Sequence, residues 1–222
     1  TEPVHGLAIG RLLAGRGTKP LVFLTALAPF AWLAYGAFAD TLGPNPAEAL
    51  IRGTGDWTLR LLCATLAITP LREWTGWVAL ARLRRMLGLF TFFYGVMHFA
   101  CFAWLDMGLD AQAILNDIPK RPFILVGTLA LLLMLPLAAT SFNAAIRRIG
   151  AARWKALHRL VYASAVLALV HFFWMRAGKN DFAEWAIYAA MMAVLLGDRL
   201  GRSLIARRAR KAAAAAAAAQ VV

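Results

Sequence analysis

The stretch RRMLGLFTFFYGVMHFACFAWL, Arg84 to Leu105, decides the class of this protein. From Met86 to Leu105 it carries no charged side chain, and a helix of that length covers about 30 Å, the thickness of bilayer hydrocarbon. Two arginines stand at its start, and His98 lies thirteen positions inside it. Working outward, Pro20 to Ala39 and Pro122 to Ile146 are equally free of charge and predict two more spans. Leu160 to Met175 predicts a fourth, extended back to Trp154 through Lys155 and Arg159, whose long stems can lift their charges to the headgroups. Asp181 to Asp198 and Asp56 to Leu71 complete a set of six. The last contains Arg60, which is accommodated if Asp56 and Arg60, an i,i+4 pair, lie together near the membrane surface. The expected fold is an all-α integral membrane protein, a six-helix transmembrane bundle.

Composition supports that reading. Of the 222 residues 61% are hydrophobic and 16% charged, against about 25% charged in a soluble domain. The net charge of +13 does not indicate nucleic acid, because the basic residues sit in short clusters between apolar runs. One set of span flanks holds eighteen of the 24 lysines and arginines, while eight of the 11 acids lie on the other set. The basic side is the cytoplasmic one, so both termini are expected there. The chain divides into a cytoplasmic N-terminal arm (1–19), the membrane bundle (20–200) and a basic, polyalanine cytoplasmic tail (201–222). The first span is expected to stay as an anchor. The loop from Asp40 to Gly55 contains Gly43, Pro44, Asn45 and Pro46 and predicts a short outer surface helix, Pro46 to Ile51. Cys63 and Cys101 fall inside apolar runs and read as packing residues. No internal repeat stands out. No glycine-rich nucleotide-binding motif occurs, so dinucleotide chemistry has to come from a partner.

The histidines carry the chemistry. An imidazole inside a bilayer needs a partner, and proton relay, ligand binding and metal ligation are the main uses. His98 and His171 lie about equally far into two spans that run in the same direction, which puts them at matching depth in the outer half. Two neutral imidazoles facing each other across a bundle can supply both axial ligands of a haem iron. Gly95 and Gly88 precede His98, and Ser164 and Ala168 precede His171, on roughly the same helix faces. Small residues there leave room for a flat macrocycle. His158 lies thirteen residues before His171, about 19.5 Å nearer the cytoplasm and rotated roughly 220° on a straight helix. At its depth the third span offers Arg84 and Arg85, which are poor iron ligands but good anchors for carboxylate or phosphate. Each histidine also has a plainer reading, a hydrogen-bonded helix-packing residue. Arg60 and Arg121 can bind haem propionates at the outer end, and span-flanking arginines also serve as interface anchors.

With these residues in view, the chain resembles the family of MsrQ (YedZ) proteins, haem-binding membrane subunits of the bacterial periplasmic methionine sulfoxide reductase system. The strings that carry the resemblance are ATLAITPLR (Ala64 to Arg72), RRMLGL (Arg84 to Leu89), His98 with its aromatic flank, KRPFILVG (Lys120 to Gly127) and WKALHRLVY (Trp154 to Tyr162) followed by His171. The family is similar in turn to ferric reductase and NADPH oxidase membrane domains, where two helices each carry two histidines and hold two haems. This chain departs from that pattern, with Arg84 and Arg85 where the fourth histidine is expected.

The resemblance implies an electron-transfer subunit in the bacterial cytoplasmic (inner) membrane. It implies haem b on His98 and His171, and a second haem, flavin mononucleotide (FMN) or a quinone at an inner site near His158, Arg84, Arg85, Arg153 and Lys155. It also implies the quinone pool or a cytosolic flavin reductase as electron donor and a periplasmic molybdenum-containing reductase, MsrP, as acceptor. Two alternatives stand beside it. One is a self-standing ferric or quinone reductase. The other is a cofactor-free, proton-coupled transporter whose histidines relay protons.

Overall fold

The computed structural model describes residues 4–178 and 180–219. Lys179, one of the basic residues on the less basic set of span flanks, lies outside them, as do residues 1–3 of the arm and 220–222 of the tail. Among the described residues every regular element is helical. Helix α1 (Val4–Ala14) leads into α2 (Thr18–Phe38), α3 (Pro46–Thr75), a short 3₁₀ turn (Val78–Arg82) and α4 (Arg84–Cys101), which continues as a π-helical turn (Phe102–Asp106). Then come α5 (Ala111–Lys120), α6 (Pro122–Ala139), α7 (Asn143–Ile149), α8 (Ala151–Leu157), α9 (Leu160–Ala177) and α10 (Ala183–Ala219). Four stretches are long and apolar enough to cross a bilayer: Thr18–Phe38, Arg84–Asp106, Pro122–Ala139 and Ala151–Ala177. The protein is a membrane protein, and its apolar exterior, such as Trp32 and Val194, faces lipid.

Three local features differ from the expectation. The predicted surface helix at Pro46 and the predicted span from Asp56 are one helix of 30 residues. Its start is set by Asn45, whose side chain accepts from the Glu48 N–H at 3.1 Å, with Pro46 in the first turn. Its end is set by Gly76, whose φ of 74° is the left-handed conformation that glycine reaches without strain. The hydropathy pattern broke at Asp56 because of charge, but a charge does not stop a helical backbone. Conversely, the predicted span Pro122 to Ile146 stops at Ala139. Pro136 lacks an N–H, and the hydroxyls of Thr140 and Ser141 turn back onto the carbonyls of Pro136 and Leu137, both at 2.7 Å. The fourth predicted span forms as Ala151–Ala177, with a local turn at His158 and Arg159, where α8 meets α9 and the backbone stays in the right-handed helical region.

Two antiparallel hairpins frame the site. Early residues of α3 meet late residues of α4, and early residues of α6 meet late residues of α9. Ser164 in α9 is fully buried and donates to the Ala130 carbonyl of α6 at 2.9 Å. Helix α2 is tied on by Tyr94, whose hydroxyl receives the Phe30 N–H and donates to the Ala26 carbonyl, both at 2.8 Å. Those two groups would bond each other in an undisturbed helix, and Pro29 lies between them. Helix α10 is fastened by Trp185, which donates to the Leu169 carbonyl at 3.1 Å, and by Arg199, which reaches the Thr69 hydroxyl at 2.7 Å. At the same end as Arg199, Arg82 donates to the carbonyls of Leu13, Ala14 and Gly15 and so caps α1.

Candidate haem site and inner cavity

The structure brings His98 of α4 and His171 of α9 together, with ring centres 5.9 Å apart and planes crossed at 77°. The Nδ1 of His98 lies 2.8 Å from the Ile51 carbonyl on α3. The Nδ1 of His171 lies 2.6 Å from the Phe123 carbonyl on α6. A carbonyl oxygen only accepts, so each Nδ1 carries the proton and donates it. That fixes the tautomer and leaves each Nε2 as a bare lone pair, the state in which imidazole binds a metal. Two nitrogens each about 2 Å from one metal would place the ring centres roughly 6 Å apart. The observed separation fits a single iron between the rings, so a bis-imidazole haem is chemically compatible with these two residues.

Of the small residues expected to make room, Gly88 lines the inner cavity, and all four also have packing contacts of their own. Gly95 faces Leu131 and Thr58, and Gly88 faces Thr65, so both let helices approach. Ser164 clips α9 to α6, and Ala168 packs with the core around Leu62 and Met192. The glycines that touch the imidazoles are Gly55 and Gly127, on the neighbouring helices. A Cβ on Gly55 would come 3.0 Å from His98, and one on Gly127 would come 2.7 Å from His171. Sequence reasoning missed both. The available signal was that glycine in a helix interior costs about 1 kcal/mol relative to alanine, so each asks for a reason.

The arginines separate into two groups. Arg121, at the start of α6, donates through Nε to Asp117 at 2.6 Å and lies over the Phe123 ring at 5.9 Å, beside the His171 carbonyl partner. Arg60 is elsewhere. It lies eight residues along α3 from Arg52 and twelve from Arg72, roughly 12 and 18 Å along the axis, with its side chain exposed on the flank of the bundle. Its Nε donates to the Tyr188 hydroxyl at 3.2 Å, and its guanidinium stacks over Trp57.

Near the opposite end of the hairpins lies a cavity of about 310 Å³ between α3, α4, α6 and α9. His158, Arg84, Arg85 and Gly88 line it, together with Arg72, Trp154 and the hydroxyls of Thr65 and Thr91. Arg153 and Lys155 do not reach it. The His158 ring stacks on Trp154 with centres 3.9 Å apart, and its Nδ1 lies 3.1 Å from the Trp154 carbonyl. Its Nε2 is buried and makes no hydrogen bond of good geometry among the described residues, with the Leu137 carbonyl close to the ring. Trp154 is held by its own Nε1–H, which donates to the Thr140 carbonyl at 2.9 Å.

Comparison with known proteins shows the family. Residues 54–169, which include both hairpins up to the turn before His171, match the family described as ferric reductase like transmembrane component. The chain is 62% identical to the protein-methionine-sulfoxide reductase heme-binding subunit MsrQ of Polaromonas naphthalenivorans, over 82% of this chain and 83% of that protein. It is 51% identical to the MsrQ of Bordetella pertussis, over 89% and 93% of the two chains. The MsrQ of Xanthomonas campestris is 44% identical, over 86% and 88%. No solved structure matches the chain. The chain belongs to the MsrQ family within the ferric reductase-like membrane proteins.

Proposed function

We propose that this protein is the haem-binding membrane subunit of a methionine sulfoxide reductase system. It carries electrons across the bacterial cytoplasmic membrane to a periplasmic, molybdenum-containing MsrP-type reductase. In this reading α2, α3, α4, α6, α9 and α10 form the six-helix bundle of residues 20–200, and both termini, the arm 1–19 and the tail 201–222, face the cytoplasm. The observation that carries the reading is the facing pair of imidazoles, each with Nδ1 committed to a backbone carbonyl of a neighbouring helix.

Haem b bound there supplies one-electron chemistry through its iron. The chain's part is to hold and surround it. His98 and His171 would hold the iron through their Nε2 lone pairs, and the Ile51 and Phe123 carbonyls hold the rings in that tautomer. Arg121, at the outer end and paired with Asp117, would anchor a propionate. The cavity at His158 suits the second carrier that the inner half of the membrane requires, whether FMN, a quinone or a second haem. Arg84 and Arg85 offer donors to a carboxylate, phosphate or ring carbonyl. His158 offers a bare nitrogen that accepts a hydrogen bond or a metal. Electrons enter there from the quinone pool or a cytosolic flavin reductase.

The test is a reduced-minus-oxidised visible spectrum of detergent-purified protein with haem counted per chain, followed by reconstitution in vesicles with a reductant inside and MsrP outside. The expected result is a six-coordinate, low-spin b-type spectrum and reduction of MsrP only when this protein is present. Colourless protein overturns the reading, and turnover of a terminal acceptor without MsrP favours a self-standing reductase.

A further inference from the structure

The contacts around the outer pair repeat in a way the sequence did not reveal. In an α-helix the carbonyl of residue n accepts the N–H of residue n+4. The two carbonyls that receive imidazole protons belong to Ile51 and Phe123, and the glycines against the rings are Gly55 and Gly127. In both cases the glycine is residue n+4, so each imidazole adds a donor to a carbonyl already engaged in the helical ladder, and the Ile51 carbonyl also receives the Thr54 hydroxyl at 3.0 Å. Helical Cβ atoms tilt toward the N-terminus, so a side chain at n+4 leans over that carbonyl. Glycine alone leaves the oxygen open to a ring from the next helix. The same carbonyl and glycine device serves His98 from α3 and His171 from α6. His158 lacks it, bonding its own helix four residues back and stacking on Trp154 instead.

We propose that Gly55 and Gly127 are positioning residues that set the crossing angle of the two axial imidazoles, an inference that rests on the haem reading above. The contacts grade the two sites. A Cβ on Gly127 would stand 2.7 Å from Nδ1 and 2.9 Å from Cε1 of His171, a ring pinned by a hydrogen bond of 2.6 Å. A Cβ on Gly55 would stand 3.0 Å from Cε1 and 3.1 Å from Nδ1 of His98, whose bond is the looser 2.8 Å. The His171 ring therefore has to turn or withdraw when Gly127 gains a methyl, while the His98 ring needs a smaller adjustment.

The crossing angle has an electronic signature. Parallel imidazole planes interact with the same iron d orbital and split it from its partner. Planes crossed near 77° address two different orbitals, leave them nearly degenerate and give ferric low-spin haem a strongly anisotropic magnetic resonance spectrum.

The experiment is low-temperature electron paramagnetic resonance of the full-length ferric protein in detergent, with haem per chain measured on every sample. Wild type is expected to show the strongly anisotropic signal. Gly127→Ala should shift it furthest toward an ordinary rhombic or a high-spin signal, and Gly55→Ala should shift it less. Gly197→Ala, whose added Cβ meets nothing within 4 Å, should leave it unchanged. If Gly127→Ala fails to retain haem, the milder Gly55→Ala decides. A rhombic wild-type signal, unshifted signals in haem-loaded Gly55→Ala and Gly127→Ala, or complete haem loss from Gly55→Ala as well overturns the positioning role. Wild-type protein without haem instead overturns the functional reading on which the inference stands.

Discussion

The two polar sites of this bundle hold their histidines by opposite means. At the outer site each imidazole is fixed from outside its own helix, by a carbonyl and a glycine of the neighbouring one. At the inner site His158 is fixed from within its own segment, by the carbonyl and the indole of Trp154. The outer rings face each other at 5.9 Å, whereas His158 shares a cavity of about 310 Å³ with arginines and hydroxyls. The lesson is one of preorganisation. Imidazoles locked by two helices at once suit a permanent metal centre, and a single imidazole beside open polar space suits a ligand that enters and leaves.

That contrast breaks most visibly at the outer site. His98→Ala or His171→Ala is expected to abolish the outer haem, because one missing axial ligand leaves the remaining imidazole unopposed; haem per chain and the visible spectrum read this directly. His158→Ala is the sharper comparison. It should leave the outer six-coordinate spectrum in place and slow electron entry in vesicles by at least tenfold, and loss of all haem would show that the two sites had been assigned the wrong way round.

Two smaller effects test the frame rather than the sites. Tyr94→Phe removes the hydroxyl that bridges Phe30 and Ala26, leaving two backbone groups unpaired in the core at a cost of about 2 kcal/mol. Thermal unfolding in detergent should show a lowered midpoint with the haem spectrum unaltered below it. Ser164→Ala removes one donor to a carbonyl that keeps its helical bond, and is expected to cost about 1 kcal/mol. A larger loss from Ser164→Ala than from Tyr94→Phe, measured in the same way, would contradict the account of how α2 and α9 are fastened.

Much of this was legible in the sequence, and the limits follow from what a linear pattern records. The depth match of His98 and His171 is a spacing within each helix, and the structure brings those residues together. The cavity with His158, Arg84 and Arg85 follows from the same reckoning of depth. Gly55 and Gly127 were not legible as partners of the histidines, because their role depends on the register between helices, which residue spacing does not carry. Gly88 and Gly95 were favoured for lying on the histidine's own helix, where spacing can be counted. The overlong span to Ile146 arose because Phe142 and Ala144 are uncharged, whereas Pro136, Thr140 and Ser141 end the helix through backbone hydrogen bonds. Arg60 was placed near a helix end on charge alone; it sits mid-helix with its side chain exposed on the flank of the bundle, held by Tyr188 on α10 and by Trp57 one turn back on α3.

The central claim is that His98 and His171 bind the same iron. Pulsed electron paramagnetic resonance on ferric protein carrying isotopically labelled histidine counts the imidazole nitrogens coupled to the metal. The account predicts two directly bound histidine nitrogens in wild type, with the signal lost in both His98→Ala and His171→Ala and retained in His158→Ala. One bound nitrogen, or a signal that survives in either of those first two variants, would contradict it.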